Sequence, residues 1–276
     1  MKWAAVAPLA LAWVATVGGP TFAQGAPASR FAAHRGGSLL WPENSLLAFR
    51  NALTLGADFI EFDVHVSKDG EVVVIHDATL DRTTTGGGPV RERTLAELKT
   101  VRLKHKGGVV TEEAIPTLAE VAAVAAQATR GMLLEIKVDE RHHRYPGVEE
   151  KVLAVLDRSG MTASTVVMAF EGETWRRVRE LRPDAAAGAL YSPGTLRAAG
   201  MSADRAITEA ARAGMRFVGL HRALVDGKTV ATARRAGVTL GVWTVNEPDA
   251  LQHFIEQKVD VVITDRPDLA KALLTR

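Results

Sequence analysis

Eight short apolar runs alternate with segments of helical periodicity from Arg30 onward, and this alternation constrains the fold more than any other feature. The pattern is typical of a parallel β-sheet with helices packed outside it. The predicted strands are Phe31–His34, Phe59–Val66, Met132–Val138, Thr165–Phe170, Ala187–Tyr191, Phe217–His221, Thr239–Val245 and Val261–Thr264. The predicted helices are Ser45–Leu55, Val148–Arg158, Thr174–Leu181, Ala203–Ala213, Lys228–Ala236 and Pro248–Gln257. Eight βα units over roughly 240 residues predict an α/β fold, a closed (β/α)₈ TIM barrel with its chemistry at the C-terminal ends of the strands.

The segment between the second and third predicted strands, about 67–127, interrupts this alternation and predicts a small insertion after strand two. It begins with a turn at Asp69-Gly70 that is followed by the apolar run Val72–Ile75. Because Asp-Gly between two apolar runs is a strong turn signal, we expect this run to pair back on strand two as a hairpin. That pairing would bring His76 close to Glu61.

The N-terminus has the pattern of a secretory signal peptide over residues 1–23. Lys2 precedes the apolar stretch Ala4–Val17, and small residues lead to Ala23. About 14 apolar residues fall short of the roughly 20 that span a bilayer, so we expect cleavage after Ala23 and no stable membrane anchor in the mature protein. The pattern predicts an exported protein, periplasmic or secreted, with one domain over 30–276.

Composition excludes several classes of chemistry and partner. The chain has no cysteine, so disulfides, thiolate catalysis and a lipid anchor on cysteine are all excluded. Its formal net charge of +2 comes from 34 basic and 32 acidic residues and gives no basic stripe of the kind that nucleic acid requires. With 47% hydrophobic residues the chain can bury a sizeable core. We expect a small-molecule substrate and no nucleic-acid partner.

Acidic residues inside two of the apolar strands indicate a cation site. Glu61 and Asp63 are two apart in a predicted strand and therefore point to the same face. Glu135 lies in another apolar strand, where a buried carboxylate is costly unless it is paired or bound to a metal. Three carboxylates without cysteine favour one Mg²⁺ or Ca²⁺ ion over Zn²⁺. The alternative is a structural ion pair, Glu135 with Lys137 or Glu61 with Arg35.

Two histidines end apolar segments near these carboxylates. His34 and His76 flanking a bound cation would suit acid/base cleavage of a phosphate ester. Glu43 and Asn44 lie near the start of the first barrel helix, where they are expected to orient Arg35 or His34. The alternative is a helix-start role for Asn44 with Glu43 solvated. Trp243 ends the seventh predicted strand, so it is expected to line the substrate pocket, with plain core packing as the alternative.

Two further polar features favour structural roles. His65 shares the strand face of Glu61 and Asp63, but a lone histidine at a strand end has many hydrogen-bond options. We expect it to satisfy the backbone of the insertion, with contact to the substrate as the alternative. The basic segment Arg141–Arg144 is expected to be a solvated loop, with steering of an anionic substrate as the alternative.

Nine short motifs follow one another in order over nearly all of the chain after residue 30. They are His34–Gly36, Pro42–Asn44, Glu61–Val64, Lys68–Gly70, His76–Thr84, Ile115–Leu118, Glu135–Lys137, Trp243–Asn246 and Thr264–Pro267. In this set and order the sequence resembles the glycerophosphodiester phosphodiesterase family. One motif alone would not be specific, whereas the ordered series is.

The resemblance implies a (β/α)₈ barrel with a small insertion and metal-dependent hydrolysis of glycerophosphodiesters to sn-glycerol 3-phosphate and an alcohol. It also implies roles for seven residues. His34 and His76 would form the acid/base pair, Glu61, Asp63 and Glu135 would bind the metal, and Arg35 and Lys137 would bind phosphate. These roles agree with the chemistry expected of a cation site flanked by imidazoles.

One departure from the family pattern lies at the end of strand four. Many members have Ser-Phe there, whereas this chain has Ala169-Phe170, so a hydroxyl contact is missing and Phe170 is expected to remain as an apolar wall. Two alternative functions stay open. One is lysophospholipase D or phospholipase D-like hydrolysis of lipid phosphodiesters, which predicts an apolar rim beside the site. The other is a catalytically silent barrel that binds phosphodiesters.

Overall fold

The computed structural model describes residues 29–128 and 130–275, which form nine strands and ten α-helices. The expected signal peptide, residues 1–23, lies outside the described residues. The strands are β1 (Arg30–Ala33), β2 (Phe59–Val66), β3 (Val72–Val74), β4 (Gly131–Ile136), β5 (Thr165–Ala169), β6 (Ala186–Tyr191), β7 (Phe217–His221), β8 (Thr239–Trp243) and β9 (Val261–Thr264). The helices are α1 (Leu46–Leu55), α2 (Leu95–Leu98), α3 (Leu118–Gln127), α4 (Val148–Arg158), α5 (Gly172–Leu181), α6 (Pro193–Ala198), α7 (Ala203–Arg212), α8 (Gly227–Ala236), α9 (Pro248–Glu256) and α10 (Pro267–Leu274).

Eight of the strands form a closed parallel barrel. The order is β1, β9, β8, β7, β6, β5, β4, β2, and β2 pairs with β1 to complete the ring. This confirms the predicted (β/α)₈ TIM barrel. The ninth strand, β3, pairs antiparallel to β2 with Val64 opposite Val74, so the predicted hairpin is also confirmed.

Alternation along the strands divides their side chains between two apolar layers. In β2 all eight residues are buried, and its odd-numbered residues share one face. Phe59 belongs to the cluster inside the barrel with Leu133 and Phe217, whereas Ile60 and Phe62 belong to the layer between strands and helices. Glu61, Asp63 and His65 therefore point into the barrel, on the same face as Phe59.

Helix α3 lies in the segment that sequence periodicity assigned to the insertion. It begins at a capping box in which Thr117 and Glu120 exchange side-chain-to-backbone hydrogen bonds, and it contacts α1 and α4 in the ring of barrel helices. The part of 67–127 outside the helical ring therefore ends near Thr117. That part has its own small apolar cluster, formed by Val73, Ile75, Leu80, Val90, Leu98, Leu103 and Ile115.

Several strands end earlier than predicted. β4 ends at Ile136 and β8 at Trp243, each two residues short of the predicted end, and β1 ends at Ala33. As a result His34 and Lys137 begin loops at the C-terminal rim of the barrel, where the backbone leaves the ladder and side chains can turn toward the axis. Within residues 29–128 and 130–275, no helix combines the length and apolar character required to cross a bilayer.

Candidate active site

Nine of the ten predicted site residues line one cavity of about 200 Å³ at the C-terminal end of the barrel. They are His34, Arg35, Glu61, Asp63, His76, Glu135, Lys137, Phe170 and Trp243. The tenth, Glu43, lies behind Arg35 and holds it from outside this cavity. The barrel thus brings together residues from β1 to β8, and the β2–β3 hairpin adds His76.

Three buried carboxylates form the floor of the site. One oxygen each from Glu61, Asp63 and Glu135 lies within 4.8 Å of the other two. The parallel pairing of β2 with β4 sets Asp63 directly beside Glu135, which explains why two distant segments supply one cluster. Oxygens around a Ca²⁺ or Mg²⁺ ion lie about 2.0–2.6 Å from it, so oxygens with this separation can share one ion.

The pKa values of Glu61 and Asp63 shift in opposite directions. Burial, together with the neighbouring charges of Asp63 and Glu135, raises the pKa of Glu61 to about 8. Burial would also raise the pKa of Asp63, but Lys137, whose Nζ lies 3.6 Å from Oδ1, and the other nearby cations hold that pKa well below its usual range. Glu135 is paired with the same ammonium, its Oε1 lying 2.7 Å from Lys137 Nζ. The cluster is therefore only partly neutralised by protein cations.

Each imidazole in the cavity is held by an aspartate. His34 Nδ1 lies 2.6 Å from Asp265 Oδ1, and His76 Nδ1 lies 2.7 Å from Asp77 Oδ1. Both Nε2 atoms are left for the cavity: that of His34 is 3.9 Å from Glu61 Oε2 and that of His76 is 3.4 Å from Lys137 Nζ. Burial would lower the pKa of His34, but the charges of Glu61 and Asp265 outweigh it and raise that pKa.

Arg35 contacts the carboxylates through both its backbone and its side chain. With φ of 50° it lies in the left-handed region, and its backbone N–H donates to Glu61 Oε2 at 3.0 Å. Its guanidinium donates to Glu43 at 3.1 Å, while Nε lies 3.7 Å from Asp63 Oδ2 and has no hydrogen-bond partner among the described residues. Arg35 can therefore still donate to an anion in the cavity.

The apolar wall of the cavity includes two aromatic rings. Phe170 and Trp243 pack edge to face with centroids 5.7 Å apart, and His221 supports Trp243 from another side at 5.3 Å. The indole Nε1 of Trp243 is buried and has no hydrogen-bond partner in the described part of the chain. A ligand hydroxyl in the cavity could accept from it.

Sequence reasoning assigned no role to several residues that position these groups. Asp77 and Asp265 hold the two imidazoles, and Arg82 donates to both Glu43 and Asp77. Asn44, which was expected to orient Arg35 or His34, donates to Asp63 at 3.1 Å. Two signals were available. Asp77 follows His76 directly, and Asp265 directly follows the last barrel strand, where functional side chains of this fold lie. Both occur within the motifs listed from the sequence.

A closed parallel barrel with carboxylates, imidazoles and cations converging at its C-terminal face is the architecture of a barrel enzyme. The chain belongs to the glycerophosphoryl diester phosphodiesterase family, which it matches over residues 34–269. A glycerophosphodiester phosphodiesterase of Caldanaerobacter subterraneus subsp. tengcongensis is 35% identical to it over 86% of this chain and 93% of the relative. One of Bacillus subtilis (strain 168) is 31% identical over 86% of this chain and 83% of the relative.

Solved structures agree with this family assignment. An Oleispira antarctica phosphodiesterase in complex with the product sn-glycerol-3-phosphate is 26% identical to this chain, with a TM-score of 0.75. The comparison covers 90% of this chain and 98% of that one.

Proposed function

We propose that this protein hydrolyses glycerophosphodiesters to sn-glycerol 3-phosphate and an alcohol, with one divalent cation and with His34 and His76 as the acid/base pair. The observation that carries the proposal is the pair of imidazoles, each fixed at Nδ1 by an aspartate and each facing one cavity with the three carboxylates. The product bound to the Oleispira antarctica relative supports the same substrate class.

The residues that would hold the cation are Glu61, Asp63 and Glu135. Their fit to Mg²⁺ or Ca²⁺ rests on three buried oxygens within 4.8 Å of one another and on an all-oxygen donor set. The raised pKa of Glu61, caused by burial beside two other carboxylates, indicates that the cations of the protein do not fully offset the negative charge of the cluster. A divalent ion bound there would supply Lewis-acid stabilisation of charge on the phosphoryl oxygens.

The side chains of the cavity can perform the proton transfers that ester cleavage needs. Arg35 and Lys137 donate to the phosphate and offset the negative charge that grows on its oxygens. One imidazole Nε2 takes the proton of the attacking oxygen, which belongs to water or to a neighbouring hydroxyl of the substrate, as that oxygen bonds to phosphorus. In the second case water then opens the cyclic phosphate to give glycerol 3-phosphate. The other gives a proton to the alcohol oxygen as its bond to phosphorus breaks. The apolar wall of Phe170 and Trp243 limits the water that reaches the reacting atoms.

The proposal is tested by incubating the purified protein with glycerophosphocholine, with and without EDTA, and assaying glycerol 3-phosphate. We expect turnover that EDTA abolishes and Mg²⁺ or Ca²⁺ restores. His34→Ala and His76→Ala should each lose turnover while the thermal unfolding curve stays cooperative. His253→Ala, on the exposed face of α9, is the matched control and should keep full activity. EDTA-resistant turnover, or near-normal rates in His34→Ala, would contradict the proposal.

A second candidate is hydrolysis of lipid-borne phosphodiesters such as lysophospholipids. The observation that favours it is an apolar tip on the insertion: Val109 and Val110 are 62% and 54% exposed, and Leu47 is also exposed on the adjoining helix. An amide hydrogen bond from Leu47 to Glu113 ties these two segments together. If lipid is the substrate, Val109→Ser/Val110→Ser should lower the rate on lysophosphatidylcholine micelles and leave glycerophosphocholine hydrolysis unchanged. Equal rates of the wild type and the double variant on these micelles would exclude lipid hydrolysis as the function.

We also propose that residues 1–23 direct export of the protein, so that the enzyme acts in the periplasm or outside the cell. The support is the order of a basic residue, an apolar stretch and small residues before Ala23. Cell fractionation with N-terminal sequencing of the mature protein tests this. An intact Met1 on cytoplasmic protein would contradict the proposal.

A further inference from the structure

A second cavity, of about 190 Å³, lies next to the candidate active site. It is lined by Ser38, Glu43, Arg82 and Thr83 and by the loop 104–108 of the insertion. Glu43 links the two cavities, because its Oε1 accepts from Arg35 at 3.1 Å on one side and from Arg82 at 2.8 Å on the other. The second cavity therefore adjoins the residues that hold Arg35.

The loop that closes this second cavity is shaped by its backbone. The amide of Lys104 donates to the carbonyl of Thr83 at 2.7 Å, and the amide of His105 donates to the carbonyl of Val109 at 2.8 Å. Gly107 and Gly108 take the left-handed conformations that the turn between them requires, with φ of 74° and 81°. Backbone hydrogen bonds and glycine conformations therefore shape the loop, and these contacts do not involve the side chains of Lys104 and Lys106.

The lining of this cavity has more cations than carboxylates, with Arg82, Lys104 and Lys106 against Glu43. Within residues 29–128 and 130–275, no carboxylate oxygen lies within 4 Å of the Nζ atom of Lys104 or Lys106. The third cation, Arg82, is already matched by Glu43 at 2.8 Å and by Asp77 at 2.6 Å. Lys104 interacts electrostatically with Asp81. Since neither lysine forms an ion pair within 4 Å in the described residues, both ammonium groups remain available to a ligand.

A buried hydroxyl in the same cavity also lacks a partner. Thr83 is only 5% exposed, and its Oγ1 makes no hydrogen bond with any described residue. A buried hydroxyl without a partner is costly, and it becomes satisfied when a ligand supplies an acceptor oxygen. This observation is independent of the lysines and indicates the same kind of ligand, one rich in acceptor oxygens.

We propose that this second cavity is a phosphate subsite for the alcohol part of the substrate. The inference rests on the proposed function and narrows its substrate class: the preferred glycerophosphodiester carries a second phosphate on the alcohol beyond the bond that is cleaved. Lys104 and Lys106 neutralise that phosphate and Thr83 donates to it, because ammonium and hydroxyl groups suit phosphate oxygens. A cationic alcohol such as choline meets like charge there and binds less well.

The test compares two substrates that differ in the second phosphate, glycerophosphoglycerol and bis(glycerophospho)glycerol, at saturating Mg²⁺ or Ca²⁺. The measured quantity is the ratio of kcat/KM for bis(glycerophospho)glycerol to kcat/KM for glycerophosphoglycerol. We expect this ratio to fall about tenfold in Lys104→Gln/Lys106→Gln, since two charges facing one phosphate are lost. The matched control is Arg212→Gln/Lys258→Gln, which removes two charges from the opposite end of the barrel and should leave the ratio at the wild-type value.

Thr83→Val provides a second readout. It should lower the same ratio several-fold while leaving the melting temperature unchanged or raised, because the hydroxyl that it removes has no partner in the protein. A lowered melting temperature would show that Thr83 Oγ1 serves the fold instead and would overturn its assignment to the subsite.

The remaining outcomes separate this inference from the function on which it rests. A wild-type ratio in Lys104→Gln/Lys106→Gln, or an equal fall in the control pair, overturns the phosphate subsite while hydrolysis itself stands. Failure of the wild-type enzyme to hydrolyse either compound contradicts the proposed function and the subsite with it.

Discussion

Asp265 Oδ1 lies 2.6 Å from His34 Nδ1, and this contact between the last and the first strand of the barrel turns the other ring nitrogen toward Glu61. An aspartate in this position fixes the tautomer and stabilises the imidazolium. Asp265→Asn should therefore lower kcat by roughly 10²- to 10⁴-fold, the range of a general acid or base that is no longer correctly held. Steady-state kinetics on glycerophosphocholine measures this effect.

The control for Asp265→Asn is Ser38→Ala. Ser38 Oγ donates to the same carboxylate oxygen, also at 2.6 Å, but does not contact the imidazole. Removing it weakens the support of Asp265 and leaves the contact with His34 in place, so the loss in kcat should be less than about tenfold. Near-wild-type turnover in Asp265→Asn would show that Asp265 does not position His34 for catalysis.

Metal binding should appear as a gain in thermal stability that depends on Glu61. Burial raises the pKa of Glu61 to about 8 and so favours its protonated form in the absence of metal, and glutamine resembles that form. Glu61→Gln should therefore melt near the wild-type temperature in EDTA. At a Ca²⁺ or Mg²⁺ concentration of about 100 times Kd the wild type should gain roughly 2.7 kcal/mol, and the variant should gain far less.

The control for this experiment is Glu112→Gln, which removes one exposed carboxylate of the insertion. It should show the full gain on adding the cation. Equal melting temperatures for the wild type in EDTA and in excess Ca²⁺ and Mg²⁺ would contradict a cation site.

Local sequence patterns predicted most of the fold. β2 was predicted with its observed bounds, Phe59–Val66, because a buried strand between Gly-containing turns is a local pattern. Its alternation also put Glu61 and Asp63 on one face, as the structure has them. The pairing of Asp63 with Glu135 is a matter of register between distant strands, which no local pattern contains.

The features that sequence reasoning missed depend on contacts distant in the chain. Helix α3 was included in the predicted insertion because no predicted strand separates it from the hairpin, and its packing against α1 and α4 shows that it is a barrel helix. Asp265 and His34 are 231 positions apart and meet only because the barrel closes. Closure was predictable, but the partner of each side chain at the closing edge was not.

Trp243→Phe should raise KM with little change in kcat. The substitution keeps an aromatic wall beside Phe170 but removes the indole N–H, which is buried without a partner among the described residues and which we expect to donate to a glycerol hydroxyl. Loss of one hydrogen bond of about 1 kcal/mol raises KM roughly fivefold. The melting temperature should not fall on this account, because the substitution removes no hydrogen bond within the described residues. Trp175→Phe, on α5, is the control, and an unchanged KM in Trp243→Phe would contradict the donor role.

His65 should make folding sensitive to acid. Its Nε2–H donates to the carbonyl of His76 at 3.0 Å and its Nδ1 accepts from the Tyr145 hydroxyl at 2.9 Å, so it satisfies the backbone beside the hairpin, as expected from the sequence. Burial lowers its pKa to about 4, against about 6.5 in the unfolded chain. Between pH 6.5 and pH 4 the unfolded state therefore binds a proton that the folded state does not. The resulting contribution to the free energy of unfolding, roughly 3 kcal/mol, is fully present above pH 6.5 and is lost as the pH falls to 4.

The test for His65 is urea unfolding of the wild type and of His65→Gln from pH 7.5 to pH 4. Glutamine can donate and accept at the same two positions but does not titrate. The wild type should therefore lose stability more steeply than the variant as the pH falls. His253→Gln, exposed on α9, is the control and should follow the wild-type curve. Parallel curves for wild type and His65→Gln would contradict the assignment.

Gly241→Ala should destabilise the barrel, because a Cβ on Gly241 would lie only 2.3 Å from Cζ of Phe217, a fully buried ring in the interior cluster. Overpacking of this kind costs about 1–3 kcal/mol. Phe217→Leu, which shortens the opposing side chain, should recover part of that loss. The double variant should therefore lose less free energy of unfolding than the two single variants lose in total. The matched control is Gly227→Ala at the start of α8, where nothing lies within 4 Å of the added carbon and no loss is expected. Strict additivity in urea unfolding would show that Phe217 does not limit the space at Gly241.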